Sequence, residues 1–471
     1  MPANMPVVAM PSPTEFNGRL TGNRRPADPR YGCYPTADRF TDAFGYRDYL
    51  QAVASLRTRG SNNPLALSLH IPFCGDVGEA GGTNKMAMRN REKAVIYLSY
   101  LKREIEIQGR LFDGMNQVAQ LHIGGAPSCL SDVHTTDLMR HARCWFRFAA
   151  DEVGDYSVEV DAHAVSENRV HRLREQGFNR ISIAIQDGEG DADNTGNHMP
   201  LERHMLAVID AAHAARFRSI SIDLEFGRPK QTLVTIAQTL DDVIGFRPDR
   251  VTVRPHPPSW SVSTPQRHSI DEDSLGDALK DSMYAQCIAQ LTHSGYVHIG
   301  LEQFAKPADE LVIAQRQGRL YRSFHGYSTH PEANLVACGV GAISSIAATC
   351  CQNARTLETY YDRLDSNQLP IVRGIKLTMD DVLRRSIIHT LMCNFEISAT
   401  AIELAYPITF ADYFSAELGR LQAFAADGLI TVDDEWISAT VAGRLLITNI
   451  CMVFDRCLYA GSASRRVGTA G

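Results

Sequence analysis

The feature that most constrains this chain is a repeated alternation between residues 63 and 305. LALSLHI (65–71), VAQLHI (118–123), YSVEVD (156–161), RISIAIQ (180–186), RSISIDL (218–224), RVTVRP (250–255) and VHIGLEQ (297–303) are apolar runs too short for helices. Between them, REKAVIYLSYLKREIEIQGRL (91–111), SENRVHRLREQG (166–177), LERHMLAVIDAAHAA (201–215), TLVTIAQTLDDVIG (232–245) and SLGDALKDSMYAQCIAQLTHSG (274–295) read as helices. Strand followed by helix, six or seven times over, predicts parallel βαβ units. The fold class is therefore α/β, a barrel or part of one. In such a barrel the chemistry collects at the C-terminal ends of the strands.

The flanks read differently. Residues 1–62 are rich in Pro, Gly and Arg, with Phe40, Phe44, Tyr46 and Tyr49 interleaved, and predict an extended N-terminal arm with one short helix near Asp42–Leu56. From 306 to 471 the alternation stops. DDVLRRSIIHTLMCNFEIS, FADYFSAELGRLQAFAADG and TVAGRLLITNICMVFDRCL read as helices, and GLITVDDEWISAT as a hairpin. Helices followed by a hairpin suggest a mostly helical, winged-helix-like C-terminal domain. The expected organisation is an arm over 1–62, the partial barrel over 63–305 and the helical domain over 306–471.

Composition excludes several classes of partner. Forty-seven basic residues against 54 acidic ones leave a net charge of −7, with no basic stripe for nucleic acid. No apolar run reaches the roughly 18–20 residues of a membrane span. The start, MPANMPVVAMPSPTEF, lacks the basic region of a signal peptide. These features predict a cytoplasmic, monomeric protein. In a reducing compartment its eleven cysteines are buried thiols, metal ligands or reactive groups rather than a disulfide framework.

HIPFC (70–74) opens a series of longer motifs. NK, EVD, GFNR, QD, ID, G.PKQT, Q.GRLYR.F.GYST, GV.AIS, L.CNF, FADYF, DGL and GRLL..NICM.FD follow in order, across most of the chain. Through them the chain resembles the oxygen-independent coproporphyrinogen III dehydrogenases, radical S-adenosylmethionine enzymes of haem synthesis. The resemblance implies a radical-SAM-type partial (β/α)6 barrel. It also implies a [4Fe–4S] cluster held by three thiolates in the pattern C-x3-C-x2-C, with S-adenosylmethionine on the open iron. The implied activity is oxidative decarboxylation of two propionates of coproporphyrinogen III.

This chain departs from the pattern at the cluster. Cys74 stands at the first ligand position, but Gly78 and Gly81 stand at the other two, and Thr83 replaces the cysteine that follows. Iron–sulfur chemistry selects thiolate donors, and glycine has no side chain to donate. The expected cofactor state is loss of the [4Fe–4S] cluster. Cys129, Cys338, Cys350 and Cys351 are the alternative donors, although none has ligand spacing with Cys74. Ser68 stands where the family has Tyr, and His198 where it has Arg. The family's GGGTP is shortened to Gly124-Gly125-Ala126-Pro127. The family's IDLIYGLPKQT reads IDLEFGRPKQT here, which places Glu225 and Arg228 near the barrel mouth as a candidate pair.

Other positions carry over. The resemblance assigns Gly124, Gly125, Glu159, Gln186 and Asp223 to S-adenosylmethionine; the alternative is that they are inherited polar residues serving the backbone. Gln315, Arg316, Arg322 and Tyr327, beside Phe324, are candidate contacts for a macrocycle bearing carboxylates; the alternative is a linker. HPPSW (256–260) matches no metal motif, and Trp260 reads as packing. The favoured expectation is a divergent homologue without radical chemistry that binds a tetrapyrrole or S-adenosylmethionine. Two readings stand beside it: an active enzyme with replacement ligands, and an interaction partner of an intact paralogue.

Overall fold

The computed structural model describes residues 31–58, 63–74, 86–87, 91–115, 117–125, 130–185, 201–256, 277–324, 326–330 and 333–463. The chain divides into two compact units. One comprises residues 37–275 and 332–377; the other comprises residues 1–36, 276–331 and 378–471.

The first unit is built on a sheet. Its strands are β1 (Leu65–Ile71), β2 (Val118–Gly125), β3 (Asp155–Asp161), β4 (Arg180–Ile185), β5 (Ser219–Phe226), β6 (Arg250–Pro255), β7 (Asn334–Cys338), β8 (Ile343–Ile346), β9 (Thr349–Asn353) and β10 (Ile371–Lys376). Their order is β10-β9-β8-β7-β1-β2-β3-β4-β5-β6. From β7 to β6 every neighbour is parallel, whereas β8, β9 and β10 are antiparallel. The helices are α1 (Tyr46–Thr58), α2 (Arg91–Leu111), α3 (Asp132–Trp145), α4 (Glu167–Glu175), α5 (Leu201–Ala214), α6 (Leu233–Gly245) and α7 (Leu357–Asp365). The alternating parallel αβ architecture agrees with the fold class read from the sequence.

The strands are legible because one face is apolar and the other polar. Leu67 and Leu69, Leu121 and Ile123, Val158 and Val160, Ile181 and Ile183, Ile220 and Ile222, and Val251 and Val253 are all buried. Between them, on the opposite face, alternate His70, His122, Ser157, Glu159, Ser182, Asp223 and Arg254, as period-two geometry requires. The helices begin where side chains can satisfy their free amides. Ser131 caps α3, Ser166 caps α4, and Thr232 with Thr235 forms a reciprocal box on α6. Each then buries one stripe: Leu138, Met139 and Ala142 on α3, and Ile236, Leu240 and Val243 on α6.

The sequence reading missed the strands of residues 334–376, the hairpin Tyr321–Ser323/Gly326–Ser328, and the strand Glu396–Ser398, which it had read as the end of a helix. Residues 334–376, expected to continue the helical region, contain β7 to β10. ISSI and TCCQN lack an apolar face alternating with a polar one; TCCQN is buried throughout and ISSI at alternate residues. The run 297–303, read as a seventh strand, is a hairpin of Val297–Gly300 and Gln303–Ala305.

The second unit is mainly helical. Helix Met379–Asn394 is followed by strand Glu396–Ser398, helices Ala399–Ala405, Phe410–Tyr413 and Ser415–Ala426, and the hairpin Ile430–Val432/Trp436–Ala439. The strands pair into a three-stranded sheet, giving a winged-helix-like arrangement. Ile387, Ile388, Leu391, Phe414, Leu421, Ile437, Ile450 and Phe454 form its core. Arg384 and Arg420 are committed internally. Arg384 bonds Glu417 and Asp380, and Arg420 lies over the Tyr459 ring.

Candidate functional site at the strand ends

The parallel strands deliver their polar residues to one edge. Register places Ser68 beside His122, and His122 beside Ser157. It sets Glu159 beside Ser182, Ala184 beside Asp223, and Glu225 beside Arg254.

Glu159 is the centre of this edge. One carboxylate oxygen accepts the Gly125 amide at 2.9 Å, and the other lies 3.3 Å from His122 Nε2. His122 Nδ1 in turn meets Ser157 Oγ at 2.9 Å. Burial raises the pKa of Glu159, but the His122 bond and charge, the charge of Arg254 and the Gly125 amide outweigh it. The carboxyl is held well below the usual range and is an anion at neutral pH.

Both glycines of the shortened motif serve the protein itself. A Cβ on Gly124 would lie 2.5 Å from His122 Nε2. Gly125 has φ of +97°, and a Cβ there would lie 2.3 Å from the Ile71 carbonyl oxygen. Of the five residues assigned to S-adenosylmethionine, Gly124, Gly125 and Glu159 thus form one group. Asp223 stands apart, 3.8 Å from Arg254. Gln186 lies outside the described residues, as do His198 and Trp260.

The expected Glu225–Arg228 pair is present but long, at 3.9 Å, and Glu225 has a nearer partner in His256 Nδ1 at 3.1 Å. The sequence reading placed His256 at a strand end but did not find His122, Ser157 or Arg254 as members of the edge. Only register brings them beside the carboxylates, and the single signal in the sequence was their place on the polar face.

Three of the second set of candidates, Gln315, Arg322 and Tyr327, gather in the other unit and face inward. Gln315 Nε2 donates to the carbonyls of Ile299 (2.6 Å) and Cys393 (2.7 Å). Buried Arg322 donates to the Gly32 carbonyl at 2.7 Å, reaches Glu302 at 3.4 Å and lies over the Tyr327 ring. Tyr327 donates to the Met392 carbonyl at 2.9 Å. Arg316 is exposed at a helix end.

The cluster loop can be tested through its donors. Cys74 closes a short strand, Phe73–Cys74, and residues 75–85 lie outside the described residues, as does Cys129. Gly78 and Gly81 offer no donor in any geometry. Cys338, Cys350 and Cys351 are buried in β7 and β9, and burial pushes the Cys338 and Cys351 thiols up, away from the thiolate form. Among the described residues no group of three His, Cys, Asp or Glu side chains is placed to hold a metal ion. The residues at the family's ligand positions do not fit a three-thiolate cluster.

Parallel strands with helices between them, and a polar face ending in Glu159 and Asp223, define an α/β protein with its polar groups gathered at one strand edge. Similarity to known proteins narrows this class. Residues 377–446 match the family described as the HemN C-terminal domain. The oxygen-independent coproporphyrinogen III oxidase of Escherichia coli is 40% identical over 431 residues, covering 91% of this chain and 93% of that protein. The Pseudomonas aeruginosa protein of the same name is 39% identical over the same shares. That of Synechocystis is 35% identical over 97% of this chain and 98% of its own. The solved structure of coproporphyrinogen III oxidase from E. coli, described as a radical SAM enzyme, superposes with a TM-score of 0.83. It covers 90% of this chain and 96% of the other, at 40% identity. The chain belongs to the oxygen-independent coproporphyrinogen III oxidase family. Among the described residues no helix is long and apolar enough to cross a membrane.

Proposed function

We propose that this family member has kept the barrel edge but lacks the [4Fe–4S] cluster and the radical chemistry it supplies, and that it binds a tetrapyrrole or S-adenosylmethionine. The observation that carries this reading is the donor set: Gly78 and Gly81 occupy two of the three ligand positions. Losing even an outer-shell partner typically weakens a metal site about 10–100-fold, and two absent ligands are a far larger defect. The edge itself supports ligand retention. Glu159 is an oriented anion, and Asp223 and Arg254 present opposite charges nearby. Carboxylates so placed can accept hydrogen bonds from a ribose or an amine.

The test is anaerobic reconstitution with iron and sulfide. The expected result is less than about one iron per chain and no broad absorption near 400 nm, the band of a thiolate-held cluster. Three or more irons per chain overturns the proposal in favour of replacement ligands. Titration of the same sample with coproporphyrin III, haem and S-adenosylmethionine is expected to show saturable binding of at least one. Binding of none removes the ligand-binding half of the reading.

A further inference from the structure

Helix α2 carries Tyr97 and Glu104 seven residues apart, on one face. Both are fully buried. Glu104 Oε2 accepts the Gly339 amide at 2.8 Å and the Tyr360 hydroxyl at 2.6 Å, and Oε1 accepts Asn353 Nδ2 at 2.7 Å. These partners come from three places: the turn after β7, the end of β9 and helix α7. Tyr97 completes the arrangement. Its hydroxyl donates to the His70 carbonyl at 2.7 Å and accepts the Val340 amide at 3.2 Å. Its ring stacks on Tyr360 at 5.8 Å. Gly339 has φ of +116°, and a Cβ there would lie 2.6 Å from the His70 carbonyl oxygen. The Gly339–Val340 turn is thus pressed against the C-terminal end of β1, four residues before Cys74.

We propose that Glu104 is a proton-sensitive positioning residue whose ionised form holds the Gly339–Val340 turn on the end of β1 and whose protonated form loosens it. The chemistry of the partners gives the reason. All three donate, so an ionised carboxylate satisfies all three. A protonated carboxyl must itself donate, and of these partners only the Tyr360 oxygen can accept. Tyr360 must then turn its own proton elsewhere. Burial opposes ionisation, while the bonds from Tyr360, Gly339 and Asn353 favour it, and the balance raises the pKa to about 7. The titratable groups facing Glu104 are Tyr97 on α2, Tyr49 on α1, Tyr360 on α7, Cys338 on β7 and Cys351 on β9. Burial pushes each above its ordinary value, so all stay neutral while Glu104 titrates.

The sign separates two readouts. A carboxyl with its folded pKa raised from 4.5 to about 7 contributes stability that is fully present below the unfolded value and is lost as pH rises through 7. Global stability from this group therefore falls as the turn becomes better held. The experiment follows the full chain between about pH 5.5 and 8.5, recording denaturant midpoints and hydrogen-exchange protection of the Gly339 and Val340 amides corrected for intrinsic rates. Protection is expected to rise severalfold across the range, while the midpoint falls. Glu104→Gln is expected to flatten both dependences. Tyr360→Phe removes one donor from the carboxylate and is expected to move the transition to higher pH; it stands in if Glu104→Gln does not fold. Protection that ignores pH, or a pH dependence that survives Glu104→Gln or sits unmoved in Tyr360→Phe, overturns the proposal.

Discussion

Asn179 shows what a motif residue can do without touching a ligand. It sits in GFNR, one of the motifs that link the chain to its family, and is fully buried. Its side chain accepts the Tyr156 amide at 2.8 Å and donates to the carbonyls of Gly154 (2.8 Å) and Asp151 (3.1 Å). Arg180, the next residue, pairs with Asp155 at 2.6 Å. The motif ties the start of β3 to the start of β4. Asn179→Ala leaves the buried Tyr156 amide without its partner, while the Gly154 and Asp151 carbonyls keep Arg218 as a donor; a buried group so orphaned costs about 1–3 kcal/mol. The expected loss is about 2 kcal/mol in denaturant unfolding; a loss under about 1 kcal/mol would mean water replaces the amide. The sequence named this residue but not its role. For Glu159 the sequence offered two roles, an S-adenosylmethionine contact or a bond to the backbone, but its His122 partner emerges only when β2 and β3 are set in register.

Elements were legible where they carried a period. Helices α2 and α4 to α6 were legible in their apolar stripes and β1 to β6 in alternating faces, whereas the sequence reading missed α3 despite its Ser131 cap and buried stripe. Strands β8 and β9 show no such pattern: Ser344, Thr349, Gln352 and Asn353 are buried polar residues that hydrogen-bond within the unit. Helix Met379–Asn394 illustrates a strong start signal. Thr378 accepts the Asp381 amide and Asp381 accepts the Thr378 amide, while Asp381 also accepts the Tyr34 hydroxyl at 2.9 Å. Burial raises the Asp381 pKa, but the bonds from Thr378 and Tyr34 and the charge of Arg456 outweigh it and lower it overall. Thr378→Ala is expected to destabilise the chain by about 1–2 kcal/mol, the usual worth of such a cap. Thermal unfolding would record it, and an unchanged Tm would assign the helix start to Tyr34 and Arg456 instead.

At the scale of the whole molecule, the cluster loop and several strand-end positions depart from the family pattern inside a retained frame. The chain keeps about 40% identity and a TM-score of 0.83 to the E. coli enzyme, yet offers one thiol where the family pattern has three. A gain-of-function experiment separates donor loss from wider decay. Gly78→Cys together with Gly81→Cys restores C-x3-C-x2-C after HIPF. If donors are all that is missing, this variant takes up about four irons per chain on reconstitution, as a thiolate-held cluster requires, while the parent chain does not. A variant that also stays iron-free would place the defect in the path of the loop rather than in its donors.

By itself the sequence determined the parallel αβ alternation, the winged-helix-like C-terminal pattern, the family resemblance and the chemistry absent from the cluster positions. Each of these depends on residue type and local period. Tertiary structure decided the rest. It placed β7 to β10 in the sheet unit, turned Gln315, Arg322 and Tyr327 inward, and showed the two mouth glycines to be required by Ile71 and His122. It also gathered Glu104, Gly339, Asn353 and Tyr360 from positions up to 256 residues apart. Such groups have no local signature, because a buried polar contact is set by strand register and helix packing.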